Sequence, residues 1–192
     1  MAIKVPFDNL VIHDAKITYR NFAGNEGIYN PKGARNFAVI IDTLEQAQAL
    51  EDLGWKVKYS KVREDGEPAR FPASLPVHVK YHPKMQPPRV KLLKRGGQVG
   101  LDEEAVDVLD YIDIEKVDLI IRPYHWKQPN GSEGVKNMLV SIYITVREDE
   151  LELKYANVPE LGANGQLELE AGEDVWEDLG EIQTQREIEA GF

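Results

Sequence analysis

Two long segments of strand-forming residues, Val117–Trp126 and Val135–Val146, flank the turn tripeptide Pro129-Asn130-Gly131. Segments so long with so short a turn pair with each other first, as an antiparallel hairpin. The chain is therefore built on a sheet. Shorter strands are expected over Leu10–Tyr19, Arg35–Asp42, Trp55–Val62, Leu75–His82 and Arg89–Lys94. Trp55, Val57 and Tyr59 share one face of their strand, and Val77, Val79 and Tyr81 one face of theirs, with His78, Lys80 and His82 opposite. Glu64-Asp65-Gly66-Glu67 reads as a hairpin turn.

Two short helices interrupt the strands. Thr43 or Asp42 caps Leu44–Leu53, with Gly54 past its end, and Asp102 caps Glu103–Tyr111. Ala105, Val106, Leu109 and Ile112 form the second helix's apolar stripe. Strands arriving in succession with short turns and no internal repeat predict a mainly antiparallel sheet, closed into a barrel or stacked as a sandwich.

The 192 residues suit one domain with an appendage, and without cysteine there is no disulfide, thiolate metal site or cysteine nucleophile. No apolar run approaches the ~20 residues of a membrane span. The N-terminus has no long apolar stretch resembling a signal peptide, so the expectation is a soluble, cytoplasmic protein.

Charge is segregated. Residues 148–192 carry fourteen acids and two bases, a net −12, which leaves +2 on residues 1–147 of the total −10. Within that body, residues 53–100 hold eleven Lys or Arg against three acids. A basic stretch acts on a polyanion over a Debye length of about 8–10 Å, whatever the overall charge. From Val158 onward ten acids, one Arg and scattered Gly give no strand or helix period, and the segment reads as a disordered acidic tail ending in Phe192.

Catalytic signatures are missing. The chain has no Walker A loop, Gly-x-Ser-x-Gly, His-Glu-x-x-His or dinucleotide fingerprint. His78 and His82 lie in a strand, about 13 Å apart and too far for one metal. Asp102-Glu103-Glu104 suits a helix N-terminus. No metal, cofactor or enzymatic activity is expected.

What the strands do show is cations interleaved with aromatics. Single-stranded nucleic acid needs both: Lys and Arg follow the phosphates, and flat rings stack on unpaired bases. The candidates for phosphates are Arg20, Lys32, Arg35, Lys56, Lys58, Lys80, Arg89, Lys91 and Arg122; those for bases are Phe22, Tyr29, Tyr59, Tyr81, Tyr124 and Trp126. Trp55 and Phe37 read as core. Arg122, Tyr124 and Trp126 share a strand face that is either a binding platform or a sheet edge where rings cover the barrel end.

The pattern resembles the single-stranded DNA-binding proteins of tailed bacteriophages. The resemblance rests on Asn21-Phe22-Ala23-Gly24, Tyr29-Asn30-Pro31-Lys32-Gly33-Ala34-Arg35-Asn36-Phe37, Gly54-Trp55-Lys56-Val57-Lys58, Pro87-Pro88-Arg89-Val90 and Val117–Trp126, and on the acidic tail. It implies an OB-fold-like antiparallel β-barrel over residues 1–157, with extra strands and two short helices, that coats single-stranded DNA during replication and recombination. It also implies a tail, residues 158–192, that contacts replication proteins such as polymerase or helicase. Cellular relatives end in Pro-Phe, whereas this chain ends Glu189-Ala190-Gly191-Phe192. Oligomeric state stays open. The rival readings are a non-catalytic phage interaction or adaptor protein, and a metal-dependent nuclease using acids between Asp102 and Asp118.

Overall fold

The computed structural model describes residues 8–61, 69–148 and 154. The Glu64–Glu67 turn, the boundary after residue 157 and the tail with Phe192 lie outside the described residues. The chain divides into two units, Met1–Arg147 and Glu148–Phe192. Every strand among the described residues belongs to the first unit.

That unit is mainly β. The strands are β1 Leu10–Ile12, β2 Ile17–Asn21, β3 Arg35–Ile41, β4 Lys58–Tyr59, β5 Ala73–Val79, β6 Arg89–Lys94, β7 Gly97–Leu101, β8 Ile114–Lys127 and β9 Glu133–Val146. Among its described residues an α-helix, α1, spans Leu44–Asp52, and a 3-10 helix spans Val106–Asp110. The expected hairpin is β8–β9, paired from Lys127↔Glu133 to Ile114↔Val146 with two register shifts on the way. Its turn holds Gly131 at φ +83°, and Ser132 N–H donates to Asn130 Oδ1 (2.9 Å).

Neighbouring strands run β1-β8-β9-β5-β3-β2. The two ends of that path belong to one segment. Leu10–Ile12 pair with β8, Ala15 N–H donates to Val117 O (2.7 Å), Ile40 N–H donates to Lys16 O (2.8 Å), and Ile17–Asn21 pair with β3. The chain thus changes partners around Asp14 (φ +51°) and joins the sheet's ends covalently. With β1 and β2 taken as one bent strand, the ring has five members.

The sheet is mainly antiparallel, as expected, and two parallel pairings make it mixed. β5 and then β6 lie parallel to successive parts of β9, at Val77↔Asn137 and Arg89↔Ser141. Both strands lie along the same edge of β9 and run in the same direction, and the intervening residues 80–88 lie outside any strand. A crossover sets such pairing, and local sequence does not encode it.

Alternation sends Phe37, Val39 and Ile41 of β3, Leu75, Val77 and Val79 of β5, and Val117, Leu119 and Ile121 of β8 into one core. Trp55 is buried with them, as expected, and α1 adds Ala47. Thr43 caps α1 through its side chain to Gln46 N–H (3.2 Å). The second expected helix narrows to the 3-10 turn, in which Val106 and Leu109, three apart, both face inward. Asp102 receives the N–H groups of Glu104 and Ala105 (3.0 and 2.9 Å).

One buried polar group ties the core to the segment after α1. Asn137, 1% exposed, donates to Pro76 O (2.8 Å) and Lys56 O (2.9 Å) and accepts from Lys56 N–H (3.3 Å). Replacing Asn137 with Ala strands these groups, and each buried unpaired polar group costs roughly 1–3 kcal/mol. A urea titration of Asn137→Ala is expected to show about 3 kcal/mol lost; a loss below about 1 kcal/mol would mean that water replaces the amide.

Candidate nucleic-acid interface

The face of the sheet away from the core carries the cation–aromatic mixture. Beyond Ile121, β8 turns Arg122, Tyr124 and Trp126 outward, because inward positions alternate with them. In β9 a register shift lies between Ser141, opposite Ile120, and Leu139, opposite Ile121. That extra residue lets both halves of β9 keep apolar residues inside. It also sets the cross-strand pairs Arg122↔Met138, Tyr124↔Lys136 and Trp126↔Gly134. The indole lies over Gly134, where a Cβ would meet its ring at 2.8 Å. Lys136 Nζ stands 6.0 Å from the Trp126 ring centroid, within reach of a cation–π contact. Tyr124 is 49% exposed. The two rings therefore lie on the outer face rather than over a barrel end.

The patch continues across the ring of strands. His78 of β5 pairs with Met138, and Asn36 of β3 with His78. A pocket of about 270 Å³ opens here between Tyr124, Lys136 and Met138 on one side and Gly33, Ala34 and Met85 on the other, with Lys80 on its wall. Among the described residues no carboxylate lines it. Burial, and after it the charge of Lys136, holds His78 below the ordinary imidazole range. The pocket thus presents apolar and neutral surface edged by Lys80, Lys136 and Arg35.

Gly33 and Ala34 form the end of a loop, residues 22–34, fixed by asparagines. Asn21 Oδ1 accepts from Asn25 N–H (2.8 Å), Asn30 Nδ2 donates to Asn25 O and Ala34 O (3.0 and 2.7 Å), and Asn36 Nδ2 donates to Asn30 Oδ1. At Gly24 (φ +71°) a Cβ would sit 3.1 Å from the Gly33 backbone, so a side chain there would strain the backbone and push the two arms apart by a few tenths of an ångström. The fixed loop carries Tyr29, 97% exposed, and exposed Lys32 at its outer end.

Eleven of the fifteen expected site residues fall into three groups. Lys80, Arg122, Tyr124 and Trp126 come together on the outer face, with Tyr29 and Lys32 on the loop that borders it. Lys56, Lys58 and Tyr59 follow α1, and the Tyr59 hydroxyl donates to Glu51 (2.8 Å). Exposed Arg89 and half-buried Lys91 lie on β6, beside the other half of β9; no contact of these five with the pocket is present among the described residues.

Three expectations are corrected. Phe22 is fully buried and stacked on Phe37 (5.2 Å between centroids, 21°), so no base can reach it. The Arg20 guanidinium donates to Leu109 O and Ile112 O (3.0 and 2.9 Å) and holds the end of the 3-10 helix instead of a phosphate. The Tyr81 ring lies under Arg35 (5.6 Å), with its hydroxyl buried and without a hydrogen-bond partner among the described residues. Burial pushes that phenol up to about 12. Arg35 itself is also bonded to Glu103 Oε1 (2.8 Å), which offsets its charge. Residue order did not reveal Lys136, Met138, His78 or Met85. The hairpin register would have placed Lys136 beside Tyr124.

Residues 1–190 match the family model "Putative phage ssDNA-binding domain". The chain belongs to this phage ssDNA-binding family. Among solved structures, the phage ssDNA-binding chain is similar to the single-stranded DNA-binding protein of bacteriophage Enc34 in complex with ssDNA, at 11% identity and TM-score 0.47, over 73% of this chain and 88% of that one. A C-terminal truncation of the Enc34 protein gives 12% identity and TM-score 0.45 over 73% and 87%. No curated protein matches the chain. Among the described residues no helix is long and apolar enough to cross a membrane, and no group of three His, Asp or Glu side chains is placed to hold a metal ion.

Proposed function

We propose that this phage ssDNA-binding chain coats transient single strands during phage replication and recombination, by a sequence-tolerant grip on the outer face of β3, β5, β9 and β8. The observation that carries the reading is the clustering of Tyr124 and Trp126 with Lys136, Lys80 and Arg122. Stacking rings and phosphate-following cations are the two components that unpaired nucleotides require.

The barrel reads as OB type. In its five-member ring the order is bent β1–β2, β3, β5, β9, β8, with one parallel pair between β5 and β9. OB folds bind oligonucleotides on the face of their second and third strands and at the loops joining strands 1–2 and 4–5. Here those are β3 and β5, the asparagine-fixed loop, and the β8–β9 turn that follows Trp126. The protein acts by binding, without turnover, in the host cytoplasm. Its acidic C-terminal segment serves as the contact for replication proteins such as polymerase or helicase.

Fluorescence titration with oligo-dT at several salt concentrations tests this. Four cations on the phosphates (Lys32, Lys80, Arg122 and Lys136) give an expected slope of log affinity on log salt of about −3, from roughly −0.7 per phosphate. A slope near zero, or equal affinity for duplex, would remove the reading.

A further inference from the structure

Tyr19 adopts φ +50°, in the left-handed region where a bulky side chain is an outlier. The cause is a bulge. Thr18 pairs with Ala38 and Asn21 with Asn36, so Tyr19 and Arg20 together oppose Phe37. The bulge sends the two side chains apart. Arg20 turns inward to the 3-10 helix, and Tyr19 stands 70% exposed. Gly or Asn would hold this backbone with less strain. Core packing does not account for the ring either, since its aromatic neighbour is Phe71, edge-on at 6.1 Å and 69°.

Its position supplies the second observation. Thr18, Ala38 and Pro76 form one row across β2, β3 and β5, and Asn36, His78, Met138 and Arg122 form the next. Tyr19 follows Thr18 at the β2 margin of the face whose β8 margin bears Tyr124. The margins are four strand spacings apart, about 19 Å along the curved sheet. The floor between them includes Ala38, Pro76 and Met138, all uncharged. Exposed Arg70 is the chain neighbour of Phe71.

We propose that Tyr19, braced by Phe71, is a second platform for an unpaired base, at the opposite end of the track from Tyr124. The inference rests on the reading of this face as DNA-binding, and it explains why a strained site holds a large exposed ring. Its test compares parent, Tyr19→Ala, Tyr19→Asn and Tyr19→Phe by oligo-dT titration over increasing lengths, with thermal melting of each. Oligomers too short to span the face should bind all four alike. Longer ones should bind Tyr19→Ala and Tyr19→Asn roughly tenfold more weakly, and Tyr19→Phe like the parent. Tyr19→Asn should melt at or above the parent temperature, because Asn tolerates the left-handed backbone. Equal affinity of all four at every length, with the parent still binding, overturns the second platform alone. So does a lowered melting temperature in both Ala and Asn variants, since the ring would then be structural. A parent that fails to bind oligo-dT overturns the underlying reading instead.

Discussion

Replacing both Tyr124 and Trp126 with Ala should weaken oligo-dT binding about a hundredfold or more, with little change in melting temperature. Each base–ring stack is worth about 1–3 kcal/mol, and 1.4 kcal/mol is a factor of ten. Tyr124 stands half exposed and carries no core packing, so Tyr124→Ala alone should lose about tenfold in affinity at unchanged stability. Trp126 lies against Gly134, so its removal also uncovers some apolar surface, and Trp126→Phe separates that packing from the stacking. The rings are expected to carry more of the affinity than any one cation. Losing Lys136 should remove about one phosphate contact and shift the salt slope by about 0.7. Losing both rings should leave the slope almost unchanged while affinity falls. A double variant that binds like the parent would move the binding face elsewhere, with the β6 cations Arg89 and Lys91 next in line.

The β8–β9 hairpin was legible because its signal is local: two long strand-forming segments and a turn rich in Pro, Asn and Gly. Helix α1 was legible for the same reason, through Thr43 and Gly54. Strand β7 was not, because Gly97-Gln98-Val99-Gly100-Leu101 carries two glycines and little strand preference of its own; pairing with β6 creates it. The parallel pairs of β9 were illegible because a crossover, and no local pattern, decides them.

The candidate site shows the same division. Tyr124, Trp126 and Arg122 could be read by counting along one strand. Phe22 and Arg20 could not, because the bulge at Tyr19 inserts one residue and reverses which side chains face inward beyond it. Grouping cations with rings by chain proximity overlooks that reversal. It also passes over Lys136, which reaches Trp126 across the hairpin and not along it.

Phe22→Ala is the other large expected effect, and its signature is the reverse of the first. The ring is fully buried against Phe37, and the segment around it is fastened to the 3-10 helix. Phe22 N–H and Ala23 N–H donate to the two carboxylate oxygens of Asp110 (2.8 and 2.9 Å), while Arg20 holds the carbonyls of Leu109 and Ile112. These bonds hold the backbone in place, so the cavity left by the ring cannot readily collapse. A buried Phe→Ala change costs about 3–5 kcal/mol, a large part of the roughly 5–15 kcal/mol that holds a domain together. Melting should fall by about 10–15 °C, and the molecules still folded should bind oligo-dT with parental affinity. Were Phe22 a base platform, the variant would instead keep its melting temperature and lose about tenfold in binding. Measured beside Tyr124→Ala, the two variants separate a ring that holds the fold together from one proposed to meet DNA.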